Sequence, residues 1–362
     1  MKRALIISLI GIGMVQAASV KAGGRVFGYF SNTVSDPDTT KLGYNEFGIT
    51  RAYLDLKADF TEAKEDKQPP FKAKARITYD AEPLSGFVKI KPDPADSTPP
   101  SVSISGVYMG FIKYAYGEVG AFKGMPGELW FRIGVIPTPW IGNEEDLWYR
   151  RYVAKVMTDE YKILSSADRG LGVDYVFPSK YGLVSIAYMN GEGFKSGEVN
   201  EFKDIAARLS AYPLAGLSGP LSGFGIHGYY HMGKPDEDRV RDRVIAGASY
   251  SMGEKLGLMF SYITTSDGAS DDPLKGAGYS GWAWVDLGKF LTQDQSFGLF
   301  GRYDSYDPDA DTEDDATSFM IAGAYYTFAK GWQVALDYQA KTPEDPDTNP
   351  SSKIYLHLLA QF

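Results

Sequence analysis

Histidine, the carboxylates and the basic residues are what this chain has for doing chemistry, because it contains no cysteine. That excludes thiolate nucleophiles, disulfides and Cys-ligated metals. His227 and His231 stand four apart in "HGYYH", which on a strand puts both on one face, as a metal pair would need. No acid repeat accompanies them, and neither lies in a Gly-x-Ser-x-Gly or His-Glu-x-x-His setting. We therefore expect no catalytic residue, no metal and no cofactor. The basic residues form a second constellation: Arg51, Lys72, Lys74, Arg76, Arg132, Arg208 and Arg302 each sit in stretches that alternate apolar and polar side chains. A third is the block "NEEDLWYRRYVAK", which packs Glu144, Glu145, Asp146, Arg150, Arg151 and Lys155 around Trp148 and Tyr152 and breaks that alternation.

The elements that position these groups follow from the period of two. In "SKIYLHLLAQF", Ile354, Leu356, Leu358, Ala360 and Phe362 fall on one face and Lys353, Tyr355, His357 and Gln361 on the other. In "PFKAKARITYDA", Phe71, Ala73, Ala75, Ile77 and Tyr79 oppose Lys72, Lys74, Arg76, Thr78 and Asp80. In "TRAYLDLKADF", Leu54, Leu56, Ala58 and Phe60 oppose Arg51, Tyr53, Asp55, Lys57 and Asp59. A soluble sandwich or propeller can alternate too. These segments, however, run about 9–12 residues, the length a tilted strand needs to cross a bilayer. Their polar faces also carry full charges at successive positions, which suits a water-filled interior. The fold class expected is all-β: a transmembrane antiparallel up-and-down barrel. Its strands are expected near 25–33, 47–60, 71–81, 106–118, 128–138, 168–178, 182–191, 203–213, 223–233, 242–252, 255–265, 277–288, 296–306, 317–328, 331–341 and 353–362. That makes about sixteen, an even number as single-chain bacterial barrels require.

Composition agrees. There are 40 Gly, 25 Tyr, 20 Phe and 6 Trp, with a net charge of −9 that disfavours nucleic acid as a partner. Lys2 and Arg3, then the apolar run Ala4–Val15 and the small residues of "VQA", predict a signal peptide over 1–17. Residues 18–362 then form a single outer-membrane barrel domain. In such barrels short periplasmic turns alternate with long outer loops. "SNTVSDPDTTKLGYN", "TTSDGASDDPLKG", "SYDPDADTEDDAT" and "AKTPEDPDTNPSS" are expected as outer loops, and "SMGEK", "TFAKG", "LGKFLTQDQ" and "YVFPSKYG" as turns; "ADFTEAKEDKQPP" is long for a turn. The outer loops gather the acids, such as Asp307, Asp309, Asp311, Glu313, Asp314 and Asp315. We expect these to be solvated and to hold divalent cations loosely beside anionic lipid and lipopolysaccharide.

An isolated charge on the lipid face costs roughly 2–4 kcal/mol at mid-depth, so the strand-borne cations are assigned to the lumen. There they either lower the energy of anions in a pore or pair with inward acids such as Asp55, Asp59, Asp80 and Asp304.

Two stretches carry a family resemblance. "FGITRAYLDLKADF" resembles the early Arg-bearing strand of the phosphate-selective porins (porin O and P) of Gram-negative outer membranes. "WFRIGVIPTPWIGNEEDLWYRRYVAKVMTDEYKILSSADRGLGVDY" is similar to their strand, Thr-Pro-aromatic corner, acidic Arg-containing segment and return strand. The shared residues are Gly134, Thr138, Pro139, Trp140, Glu144, Glu145, Arg150, Asp168, Arg169, Gly170 and Gly172. The resemblance implies a sixteen-stranded homotrimeric channel for passive diffusion of small hydrophilic solutes and ions, anion-preferring and phosphate-like. It also implies that the third outer loop, 139–167, folds inward. Trp148, Tyr152, Val156 and Met157 recur near helical spacing and would dock that loop on the wall. Arg150, Arg151, Lys155, Glu144, Glu145 and Asp146 would then form the constriction. The alternative is a barrel that sheathes a partner such as a multihaem cytochrome.

Overall fold

The computed structural model describes residues 19–61, 71–89, 101–291 and 296–362, with backbone alone at 84–89 and 101–106. The expected leader, residues 1–17, and most of the long "ADFTEAKEDKQPP" link lie outside the described residues. Sixteen antiparallel strands close into one barrel, each paired with its neighbours in sequence and the last with the first. They are β1 (Ser19–Ser35), β2 (Asn45–Asp59), β3 (Lys72–Lys89), β4 (Ser101–Gly120), β5 (Glu128–Pro137), β6 (Ala167–Val176), β7 (Gly182–Met189) and β8 (Asp204–Ala211). Then follow β9 (Phe224–Met232), β10 (Arg239–Ser251), β11 (Leu256–Ala269), β12 (Leu274–Asp286), β13 (Ser296–Asp307), β14 (Thr317–Ala329), β15 (Trp332–Pro343) and β16 (Ser351–Gln361). Closure leaves no edge strand to satisfy. At the seam Gly24 and Phe362 exchange two backbone hydrogen bonds of 2.9 and 3.0 Å. A Cβ at Gly24 would sit 2.4 Å from the Phe362 ring, so the glycine makes room for the terminal aromatic.

The inside-out burial of the strands is the physical signature of a membrane barrel. Leu336 is 58% exposed and Leu54, Ile77, Ile133, Leu171, Ile354 and Leu356 are exposed with it, all on the outer face. On the inner face Asp80, Ser280 and Asp304 are at most 1% exposed. In water that arrangement would expose a continuous apolar belt, which a soluble protein avoids.

The parity of the connections differs from expectation in two places. β11 and β12 stay paired up to Asp267↔Leu274, so the expected outer loop there shrinks to residues 270–273. Conversely, the β8–β9 link on the turn end spans 212–223. The polar alternation of "TTSDGAS" lets the hairpin continue as sheet beyond the apolar belt. Loop length thus trades against strand height.

Candidate functional site

The long link from β5 to β6 turns into the barrel. Gly134 starts the corner: its φ of 129° favours glycine, and a Cβ there would meet the Ala115 carbonyl at 2.2 Å. The feet of the loop are tied together, Thr138 Oγ1 donating to the Ser165 carbonyl at 2.5 Å and Thr138 N to Ser166 at 3.2 Å. Inside lie two short helices, α1 (Ile141–Trp148) and α2 (Met157–Glu160). The spacing of Trp148, Tyr152, Val156 and Met157 suggested one continuous helical side. Instead Tyr149 takes a left-handed φ of 61° and ends α1, its N–H closing on the Glu145 carbonyl at 3.0 Å. All four apolar residues are nonetheless buried.

They dock mainly on the β9–β16 side of the barrel, with Tyr152 also against Phe27 of β1. The Trp140 ring packs on Tyr229 of β9, and Trp148 on Trp282 of β12 and Phe300 of β13. Tyr152 reaches β15 with a 2.7 Å bond from its hydroxyl to Gln333. Backbone carbonyls of the loop accept from the same wall: Leu147 from Trp284 Nε1 at 3.1 Å, Ile163 from Arg243 Nε at 3.1 Å, and Lys155 from Arg302. Burying two tryptophans and satisfying loop carbonyls from strand side chains holds the loop down by packing and by polar pairing together.

This docking sorts the expected constriction residues. Glu144 is buried, accepting from Trp140 Nε1 at 2.8 Å, and burial pushes its carboxyl up to about 7. Arg150 is 2% exposed, its guanidinium 3.8 Å from the centre of the Tyr325 ring. Both therefore lie behind the loop, against the wall, and not on the lumen side where the sequence reading put them. Glu145, Asp146 and Arg151 do face the open lumen. Arg151 pairs with Glu145 at 2.6 Å and Asp159 at 3.3 Å, and Lys155 lies 3.9 Å from Asp159. Burial raises the pKa of Asp146 and lowers that of Lys155.

Opposite the loop, the inner face of β2–β8 and the Arg25 end of β1 stay open. A cavity of about 280 Å³ lies between, with Arg25, Arg76, Lys113, Arg132, Arg151 and Arg208 as its six cations and Glu145, Asp146 and Asp174 as its three carboxylates. Several strand cations pair with inward acids, the second of the two expectations. Arg51 pairs with Asp80 at 2.6 Å, Arg76 with Asp55 at 2.9 Å, and Arg132 with Glu118 at 2.7 Å and Asp174 at 2.6 Å. Yet Arg76, Arg132 and Arg208 still line the cavity. Lys74 lines a second cavity, of about 360 Å³, at the turn end with Lys21 and Lys57, and Lys72 is exposed at that end. Arg302 differs from expectation: it is buried under the loop, bound to Asp304 and the Lys155 carbonyl, so it anchors rather than lines. The histidines are side-chain partners of the wall. His227 lies 2.8 Å from Ser210 and from Ser249, and His231 2.8 Å from Asp204.

The sequence reading missed Arg25 and Lys113. Lys113 was missed for a physical reason. The ladder runs Thr78↔Tyr114 and then Tyr79↔Ile112, so Lys113 is the extra residue of a β-bulge. The bulge breaks strict alternation and lets Lys113 and Tyr114, neighbours in sequence, both line the cavity. A count of period two along "GFIKYAYGE" cannot place them together. Arg25 sits at the first residue of the expected first strand, where the sequence gives little pattern to read.

No family model and no curated protein matches this sequence. Solved structures do. The anion-selective porin from Comamonas acidovorans superposes with a TM-score of 0.61 at 14% identity, over 96% of this chain and 100% of that one. The chain has the porin fold. Salmonella typhi OmpF gives 0.63 at 13% identity over 95% and 97% of the two chains, and the trimer form of Vibrio cholerae OmpT 0.57 at 11% over 96% and 100%. At such identities the likeness is one of fold, and it is a likeness to porins in general.

Proposed function

We propose that this chain forms a water-filled channel in the outer membrane of a Gram-negative bacterium. Small hydrophilic solutes cross it by passive diffusion, with a preference for anions. The observation that carries this is the inward loop. It narrows the barrel without filling it, and the gap it leaves is lined by twice as many cations as carboxylates. Such a lining lowers the energy of an anion in transit. The anion-selective porin with the same fold is consistent with this reading. So is the signal peptide expected from the sequence. A homotrimer fits the fold as well, since OmpT of Vibrio cholerae was solved as one. The loop docked inside the barrel speaks against a sheath for a partner. Selectivity for phosphate also finds little support. The arginines Arg51, Arg76 and Arg132 are neutralised by acids instead of standing as an unpaired ladder.

Planar bilayers test the proposal. Purified protein should give discrete conductance steps in KCl, and a salt gradient should give a reversal potential on the anion side. A reversal potential on the cation side would sink the anion preference, and absence of steps would sink the channel. Native electrophoresis with and without boiling checks the trimer.

A further inference from the structure

The wall that stays open carries most of its cations in a particular way: six of them lie within 6 Å of the centre of an aromatic ring. From the loop end to the turn end, Lys195 stands 4.9 Å from the centre of the Phe111 ring, Lys113 5.4 Å from Tyr53 and 5.7 Å from Tyr114, and Arg25 4.9 Å from Tyr53. Then come Arg76 at 4.6 Å from Tyr114, Arg132 at 5.8 Å from Tyr116, and Lys74 at 4.1 Å from Trp130. Cations held over rings are pre-placed for an anion, and the rings offer apolar surface beside each charge.

The pairing pattern narrows the charge of that anion. Arg25, Arg76, Arg132 and Arg151 each have a carboxylate within 4 Å. Among the described residues that line the constriction, Lys113 and Arg208 have none. Lys113 is 4% exposed, so its ammonium is nearly desolvated and is bracketed by the rings of Tyr53 and Tyr114. Glu145 faces Lys113 across the cavity, but no carboxylate among the described residues closes to within 4 Å of the buried ammonium, a place that a bound anion can take. The bulge that turns Lys113 inward is a device that recurs where a side chain must be re-aimed at a site. One unpaired charge between two rings suits one negative head group on a flat apolar body. A multiply charged oxyanion would find most neighbouring cations already taken. The cavity, at about 280 Å³, is near the small end of small-molecule sites, which run from about 300 Å³.

Resting on the channel reading above, we propose that the constriction around Lys113, Tyr53 and Tyr114 is a binding subsite for aromatic monocarboxylates. The carboxylate meets the Lys113 ammonium, and the ring packs against Tyr53 and Tyr114. The cation–aromatic ladder above and below guides the same class of solute in and out.

The test uses the full-length protein in planar bilayers in KCl, with sodium benzoate, sodium acetate and inorganic phosphate added in turn. Benzoate should reduce the current at concentrations roughly tenfold lower than acetate or phosphate, the size of one desolvated ring contact of about 1.4 kcal/mol. Lys113→Met should raise the half-blocking benzoate concentration by about tenfold. Tyr53→Leu with Tyr114→Leu should bring benzoate to the level of acetate. Should these variants fail to insert, the three-anion comparison on the unaltered protein still decides. A channel that conducts KCl but is blocked equally by benzoate and acetate, or more strongly by phosphate, overturns the subsite and leaves the channel standing. Absence of KCl conductance overturns both.

Discussion

The two halves of this barrel wall treat the same loop oppositely. β9–β16 present Tyr229, Trp282, Phe300 and Gln333, and the loop lies down on them, burying Trp140, Trp148 and Tyr152. β1–β8 present Arg25, Arg76, Lys113, Arg132 and Arg208, and apart from Tyr152 against Phe27 the loop stands off, leaving the lumen. Both arcs contain charge. On the docked arc it is spent on holding the loop, as Arg302 is with Asp304 and the Lys155 carbonyl. On the open arc much of it lines the cavity that the loop leaves. The lesson is that a lumen-facing arginine is a filter residue or an anchor according to what lies above it, not according to its strand.

The comparison breaks most visibly if the docked side is removed. Trp140→Ala with Trp148→Ala should release the loop, since deleting a buried tryptophan costs about 3–5 kcal/mol. Single-channel conductance should rise and become noisy, and limited proteolysis should cut within residues 138–166; unchanged conductance and protection would mean that the loop does not set the pore. Next in size is charge reversal on the open side. Lys113→Glu places a second negative charge by Glu145, and the reversal potential should move toward cation preference while conductance noise stays as it was.

Separating the adjacent arginines sharpens the contrast. Arg150→Glu buries an unpaired charge against Tyr325 and should destabilise loop docking by several kcal/mol, on the order of 3–5. Arg151→Glu should instead leave the loop docked and shift selectivity. If both act on selectivity alone, the placement of Arg150 behind the loop is wrong. The smallest effect expected is that of pH. The Glu144 carboxyl, at about 7 when docked and near 4.5 when released, favours docking while it is neutral. Docking should be strongest below about pH 4.5, weaken as pH rises to about 7, and stay level above that. Current noise recorded between pH 4.5 and 8 should rise over that window, and Glu144→Gln should flatten the profile.

Much of this architecture was legible in the sequence. Side chains alternate with a period of two, so the apolar and charged faces of β2, β3, β15 and β16 could be assigned from residue order alone, and with them sixteen strands and a closed barrel. The block 143–155 declared itself by breaking that period. That it folds inward rested on resemblance, and that Trp148, Tyr152, Val156 and Met157 would be its docking side came from their spacing.

What sequence could not supply is anything set by height or by facing partners. Glu144 and Glu145 are neighbours in the chain, as are Arg150 and Arg151. The helical step within α1 turns Glu144 to the wall and Glu145 to the lumen, and after the left-handed turn at Tyr149 Arg150 goes to the wall and Arg151 to the lumen. Lys113 gained its place through a bulge, a one-residue insertion that shows only when β3 and β4 are laid side by side. Local alternation determined which side chains point inward, because it depends on the backbone of a single strand. Which inward cations stay free, and which rings they lie over, was decided by closure of the barrel and docking of the loop, because those contacts join residues far apart in the chain.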